Sequence, residues 1–116
     1  MTPTAEELVS VIHELIEATE ELQAALEAQN QLRREELVRL ESGEALRDIV
    51  DSLPLGTYRS RSKAAQETME ARRKDLRRVL MKQCIDEGLT NKDIARIWGV
   101  SVQLISRYTA VERTRG

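Results

Sequence analysis

Apolar residues in the N-terminal part of the chain recur at alternating steps of four and three, the spacing that places side chains on one helix face. From Leu8 to Gln29 the pattern is a heptad seam of about three repeats. Its members are Leu8, Ile12, Leu15, Thr19, Leu22, Leu26 and Gln29. Four further apolar residues widen the stripe: Val11, Ile16, Ala18 and Ala25. This width favours a helical bundle or a four-helix dimer over a simple two-stranded zipper.

The first helix is expected to run from about Thr4 to Glu41, a length of roughly 55 Å at the α-helical rise. A small C-terminal module cannot bury so long an apolar face, so we expect a homodimer. The residues assigned to dimerisation are Leu8, Ile12, Leu15, Leu22 and Leu26. The alternative is an intramolecular hairpin folded at Ser42-Gly43, which is compatible with dimerisation.

A second, short helical pattern follows Ser42-Gly43 and ends at Pro54. Residues 56–63 are polar and basic, and we expect a linker whose arginines either contact phosphate groups or are solvated. A charged, then amphipathic helix is expected over about residues 62–87. Its buried stripe comprises Met69, Leu76, Val79, Leu80 and Cys84. The patterns predict an all-α fold with a helical dimerisation or assembly segment at 1–55, a basic linker at 56–63 and a second domain at 64–116.

The stretch Thr90–Tyr108 predicts two short helices joined by a tight turn. Gly99 supplies the positive φ that ends the first of them, which a Cβ would penalise. Thr90 followed by Asp93 is a start like a capping box, with a carboxylate near the positive end of the helix. Ser101 is a favourable N-cap for the second helix.

Packing positions in the same stretch fit two helices that cross at a steep angle. Ala95 is small where the helices would cross, and a larger side chain would push them apart. Three residues are expected to point inward: Ile94, Val100 and Ile105. Over about residues 73–110 this arrangement resembles the helix-turn-helix of phage repressors, Cro proteins and many bacterial regulators. The resemblance implies binding to double-stranded DNA, with the second helix in the major groove.

By that resemblance, the residues that read base edges are Val102, Gln103, Ser106 and Arg107. Gln103 can pair with adenine N6 and N7, and Arg107 with guanine O6 and N7. The candidates for contacts to DNA phosphates are Asn91, Lys92, Ser101, Arg72, Arg73, Arg77 and Tyr108. The charge distribution agrees, since residues 1–57 carry a net charge of −9 and residues 58–116 one of +7.

The reactive side chains argue against catalysis. One cysteine and one histidine exclude an internal disulfide and leave too few ligands for a zinc site. The chain has no phosphate-binding glycine loop and no histidine beside a nucleophile. We therefore expect no catalytic residue, no metal, no cofactor and no enzymatic activity. No apolar run is long enough to span a membrane and no signal peptide is visible, which predicts a cytoplasmic, nucleoid-associated protein.

The leading hypothesis is a dimeric, sequence-specific DNA-binding regulator of transcription. One alternative is an architectural, partition or DNA-packaging protein that uses the same helices on DNA while its N-terminal helices build an assembly. The other is a coiled-coil adaptor whose acidic N-terminal helices bind a protein partner.

Overall fold

The computed structural model describes residues 1–115, and for residues 112–115 it describes the backbone alone. Five helices follow one another: α1 (Pro3–Glu41), α2 (Leu46–Ser52), α3 (Leu55–Asp86), α4 (Asn91–Trp98) and α5 (Val102–Arg115). No strand occurs among residues 1–115. The all-α prediction is therefore confirmed.

The ends of these helices follow from local chemistry. The Thr2 hydroxyl accepts a hydrogen bond from the Ala5 N–H at 3.1 Å, so α1 is capped two residues before the expected Thr4. Gly43 and Gly88 have φ values of 89° and 77°, which ordinary side chains disfavour, and they close α1 and α3.

The chain divides into two compact units, each described separately below. Unit 1 comprises Met1–Leu15 and Arg72–Gly116, and unit 2 comprises Ile16–Ala71. These bounds differ from the expected division at residues 55 and 64, because α1 and α3 each contribute residues to both units.

The stretch 56–63 is a correction to the sequence-based prediction, because it forms the first turns of α3 and is not a linker. Ser62 and Ala65 are buried within unit 2, and the Ser62 hydroxyl donates to Gln29 Oε1 at 2.8 Å. Arg61 pairs with Glu21 at 2.9 Å, and this hydrogen bond lowers the pKa of the Glu21 carboxyl. Small and polar side chains make these contacts, so the stretch has no apolar pattern for a sequence reading to detect.

The residues of α1 that are buried within the chain differ from the predicted seam and lie mostly one position before it in the sequence. Leu8, Leu15 and Leu22 are half-buried, as a seam requires. However, Ile12 and Leu26 are 40% and 47% exposed within the single chain. Val11 and Ala25, one residue earlier, are buried instead, as is Ala18. Alanines at buried positions allow helices to approach closely, which explains why the smaller residues point inward.

Unit 2 also holds the connection between α1 and α2. The Arg39 guanidinium pairs with the Glu44 carboxylate and donates to the Ser52 hydroxyl. The hydrogen bond from Arg39 holds the pKa of Glu44 below its usual value. Ile49 of α2 is fully buried. The chain therefore folds back after Ser42-Gly43, as the hairpin alternative predicts.

The core of unit 1 joins α3, α4 and α5. Its buried members are Met81, Cys84, Ile94, Ala95 and Ile105. Leu80, Leu89, Trp98 and Tyr108 pack around them and are partly buried. Ile94, Ala95 and Ile105 thus take the inward positions expected of them. Val100 does not, because it is 37% exposed in the turn between α4 and α5.

Candidate nucleic-acid interface

The start of α4 is fixed by a reciprocal pair of hydrogen bonds. The Thr90 side chain accepts from the Asp93 N–H at 3.2 Å, and the Thr90 N–H donates to Asp93 Oδ2 at 3.2 Å. The Thr90 hydroxyl also donates to Asp93 Oδ2 at 2.8 Å. The hydrogen bond from the Thr90 hydroxyl, and to a smaller extent the one from the Thr90 N–H, lowers the pKa of the Asp93 carboxyl. The predicted capping box is therefore confirmed.

The turn between α4 and α5 depends on Gly99. Its φ and ψ of 68° and 34° are left-handed, and its N–H donates to the Ala95 carbonyl oxygen. Two residues later, the Ser101 hydroxyl accepts from the Leu104 N–H at 3.1 Å and caps α5. Because glycine ends one helix and serine starts the next, the direction of α5 relative to α4 is set by local geometry.

We expect Gly99→Ala to destabilise the protein by about 1–2 kcal/mol, because an L side chain is strained in the left-handed region. Gly56→Ala is the matched control, since a Cβ at Gly56 meets nothing within 4 Å and its φ is not positive. Urea denaturation of both variants measures the difference. If the Gly99→Ala variant were as stable as the parent, the left-handed conformation of Gly99 would contribute nothing to the free energy of unfolding.

One face of α5 is exposed and mostly polar. The four predicted base-reading residues, Val102, Gln103, Ser106 and Arg107, are all exposed. On the opposite face, Ile105 and Thr109 are buried, at 0% and 2% exposure. The structure therefore brings the four predicted residues together on the surface of one helix.

Asn91 at the start of α4 interacts with this face. Its Nδ2 donates to the Ser106 hydroxyl at 3.3 Å, and Asn91 itself is half-buried. Its Oδ1 is buried without a hydrogen-bond partner among the described residues. Lys92 and Ser101, at the starts of α4 and α5, are exposed. Asn91 is one of three predicted phosphate contacts in this region, and its hydrogen bond to Ser106 already uses part of its side chain.

The basic run of α3 is partly engaged by acidic residues from the start of α1. Arg72 lies 3.5 Å from both Glu14 and Asp75. Glu7 lies 3.4 Å from Arg78 and 4.0 Å from Lys82. The sequence-based prediction missed the pairs made by Glu7 and Glu14, because their partners are about 60 to 75 residues away in the chain and no local pattern signals them. They reduce the positive charge that Arg72 and Arg78 can offer to a ligand.

Arg77 and Tyr108, both predicted phosphate contacts, lie against each other. The Arg77 guanidinium stacks over the Tyr108 ring at 4.4 Å from its centroid, and it lies 3.4 Å from the Tyr108 hydroxyl. A groove of about 530 Å³ runs beside this pair, and Lys74 and Arg78 contribute to its walls. Arg73 and Lys74 are exposed on the same helix. Sequence reading did not single out Lys74 as part of such a groove.

The remaining reactive groups do not form a second kind of site. Cys84 is buried, and burial, with a smaller effect of the Glu87 charge, raises the pKa of its thiol. His13 is exposed on α1. Within the described part of the chain, no group of three His, Cys, Asp or Glu residues is placed to hold a metal ion. No described helix is long and apolar enough to cross a membrane.

The α4–α5 pair, the exposed face of α5 and the Arg77–Tyr108 groove all lie in unit 1. Comparison with known proteins adds no assignment to this site: no family model, no curated protein and no solved structure matches the chain.

Proposed function

We propose that the protein is a dimeric, sequence-specific DNA-binding regulator of transcription. In this proposal α4 and α5 act as a helix-turn-helix, and α5 enters the major groove. The observation that carries the proposal is the combination of a left-handed Gly99, two capped helix starts and a solvent-exposed α5 face that bears Gln103 and Arg107.

Base reading falls to the exposed face of α5. Gln103 and Arg107 make no side-chain hydrogen bond or ion pair within the described residues, so they are available to bases. An amide can pair with adenine N6 and N7, and a guanidinium with guanine O6 and N7. Val102, which is 46% exposed, is suited to contact a thymine methyl group. Ser106 reaches the same face with its hydroxyl already oriented by Asn91.

Phosphate contacts flank that face. Lys92 and Ser101 lie at the starts of α4 and α5, where the helix dipoles also favour an anion. Arg77, Tyr108 and Lys74 line the groove between α3 and α5. Arg72 is a weaker candidate than the sequence suggests, since acidic groups already lie within 3.5 Å of it. These contacts would position α5 without reading sequence.

A second copy of the chain supplies the second recognition helix. Two α5 helices related by a two-fold axis would read an inverted repeat, with half-sites about 34 Å or one helical turn apart. The exposed face of α5 carries few base-reading groups, chiefly Gln103 and Arg107, so one copy is a weak reader and specificity depends on pairing.

Equilibrium binding to random-sequence duplex DNA as a function of salt tests the proposal at its base. The logarithm of the binding constant should fall linearly with the logarithm of the salt concentration, because DNA releases condensed counterions when the protein neutralises its phosphates. Absence of any affinity at about 50 mM salt, where non-specific binding is strong, would contradict it. That result would leave a protein-binding adaptor as the better account.

A further inference from the structure

The outward side of α1 in unit 2 carries a second heptad stripe, distinct from the inward seam. This outer stripe runs from Ile16 to Leu40 at alternating steps of three and four, and its polar members are Thr19, Gln23, Asn30 and Arg33. Its apolar members are Ile16, Leu26, Leu37 and Leu40, which are 48%, 47%, 54% and 41% exposed. The structure thus leaves the apolar members of the outer stripe about half exposed.

The two seams lie side by side around the helix. Ala25 is fully buried on the inward face, and Leu26, the next residue, is on the outer stripe. One residue turns an α-helix by about 100°. Two apolar seams at such an angle are typical of a helix that has two helical neighbours in a bundle. Within unit 2, α3 contacts this helix through Ser62 and Arg61, and α2 contacts it near its end through the Arg39–Ser52 hydrogen bond. Neither helix covers the apolar members of the outer stripe, which are 41–54% exposed.

We propose that the outer stripe binds the same stripe of a second copy of this chain in the antiparallel direction. With Leu26 of one copy against the partner's Leu37, the reverse contact places Leu37 against the partner's Leu26. In the same register Asn30 lies opposite the partner's Arg33 and Arg33 opposite the partner's Asn30, so two polar pairs flank the two-fold axis and help to fix the register.

Charge complementarity selects the second copy and its direction. Glu27 and Arg34 follow the outer edge of the stripe one heptad apart, with side chains 58% and 61% exposed. They pair with each other at 3.1 Å within the single chain. An antiparallel partner brings Glu27 beside the partner's Arg34 and Arg34 beside the partner's Glu27. A parallel partner places these two edges on opposite sides of the interface, so the charges do not meet.

This inference deepens the dimer part of the proposed function and changes the residues assigned to it. Leu26 remains in the dimer contact, and Leu37 and Leu40 join it. Leu15 and Leu22 are half-buried within the chain, so they are assigned to packing inside one subunit. All measurements that follow are made on the full chain without DNA, so their outcome is independent of whether the protein binds DNA.

The first experiment measures the mass of the full chain in solution by light scattering, with dilution. The parent should have twice the 13.2 kDa chain mass, and the Leu26→Lys/Leu37→Lys variant should have the single-chain mass at the same concentration. Val38→Lys is the matched control, because Val38 is 64% exposed but lies off the stripe, and it should remain dimeric. A monomeric parent, or a dimeric double variant, overturns the proposal.

The second experiment tests the direction and does not depend on the lysine variants folding. Glu27→Arg places like charges beside Arg34 of the partner, and Arg34→Glu does the same with Glu27. Each variant alone should therefore dimerise more weakly than the parent. An equal mixture should form the heterodimer in excess over both homodimers, as measured by native mass spectrometry. A statistical mixture, with each variant as dimeric as the parent, overturns the antiparallel arrangement.

Discussion

Replacing Gln103 and Arg107 together with alanine is expected to abolish sequence-specific DNA binding while preserving weak binding to any sequence. Both side chains lie on the exposed face of α5 and neither stabilises the core. A bidentate contact to the correct base contributes about 1–3 kcal/mol of discrimination. Loss of both contacts therefore corresponds to roughly a 30-fold to 3 × 10⁴-fold loss of affinity for each half-site of the specific site.

A matched control separates base reading from charge. Arg96→Ala removes one positive charge from α4, where the side chain is 79% exposed and lies 3.7 Å from Asp93. It should reduce affinity for all sequences to a similar and smaller extent. Fluorescence anisotropy at one salt concentration, with a specific and a scrambled duplex, measures the affinity of each variant for specific and for non-specific DNA. If the double variant retained the parent's preference for the specific duplex, base reading by α5 would be wrong.

Ile105→Ala is expected to cause the largest loss of stability among single changes in α5. Ile105 is completely buried in the core that joins α3, α4 and α5. Truncating a buried isoleucine to alanine costs about 2–5 kcal/mol through lost transfer energy and a residual cavity. The total free energy of unfolding of a small domain is about 5–15 kcal/mol, so this substitution removes a large share of the stability.

Val111→Ala is the control for Ile105→Ala, because Val111 is on the same helix and is 50% exposed. It should change the free energy of unfolding by about 0.5 kcal/mol or less. Urea denaturation followed by circular dichroism measures both variants. Since the same core orients α5, the Ile105→Ala variant should also lose specific DNA binding at temperatures where it begins to unfold. A cost for Ile105→Ala equal to that of the control would mean that α5 is not anchored by this residue.

The α4–α5 region is the part of the fold that the sequence predicts best, for a physical reason. Its signals are local: a capping box that spans four residues, a glycine whose lack of a side chain permits a φ of 68°, and a serine cap. Such signals act between neighbours in the chain. Ile94 and Ile105 follow because the helix period fixes which side chains face inward. Val100 is exposed, contrary to the prediction, because it lies in the turn, where the helix period does not apply.

The inward face of α1 is harder to predict because two seams share the same helix. Leu8, Leu15 and Leu22 fit both the predicted seam and the observed one. The choice between them depends on whether a large or a small neighbour is buried, and close approach of α3 favours the alanines. Sequence patterns give more weight to the large residues Ile12 and Leu26 than to Ala18 and Ala25, so they do not show that the alanines are the residues buried within the single chain.

The electrostatics of the site depend on contacts between distant parts of the chain. Glu7 and Glu14 approach Arg78 and Arg72 because α1 and α3 lie together in unit 1. Net charge along the sequence shows a basic half but does not show which of its arginines are already paired. The structure therefore moves the expected phosphate contacts from Arg72 toward Arg77, Lys74 and Tyr108.

Selection of bound sequences from a random duplex pool, at a stated salt concentration, tests the central claim most directly. The account predicts enrichment of an inverted repeat whose half-sites are about one helical turn apart. It also predicts that the Gln103→Ala/Arg107→Ala variant enriches no sequence from the same pool. A pool that remains random after selection with the parent protein would contradict sequence-specific reading by α5.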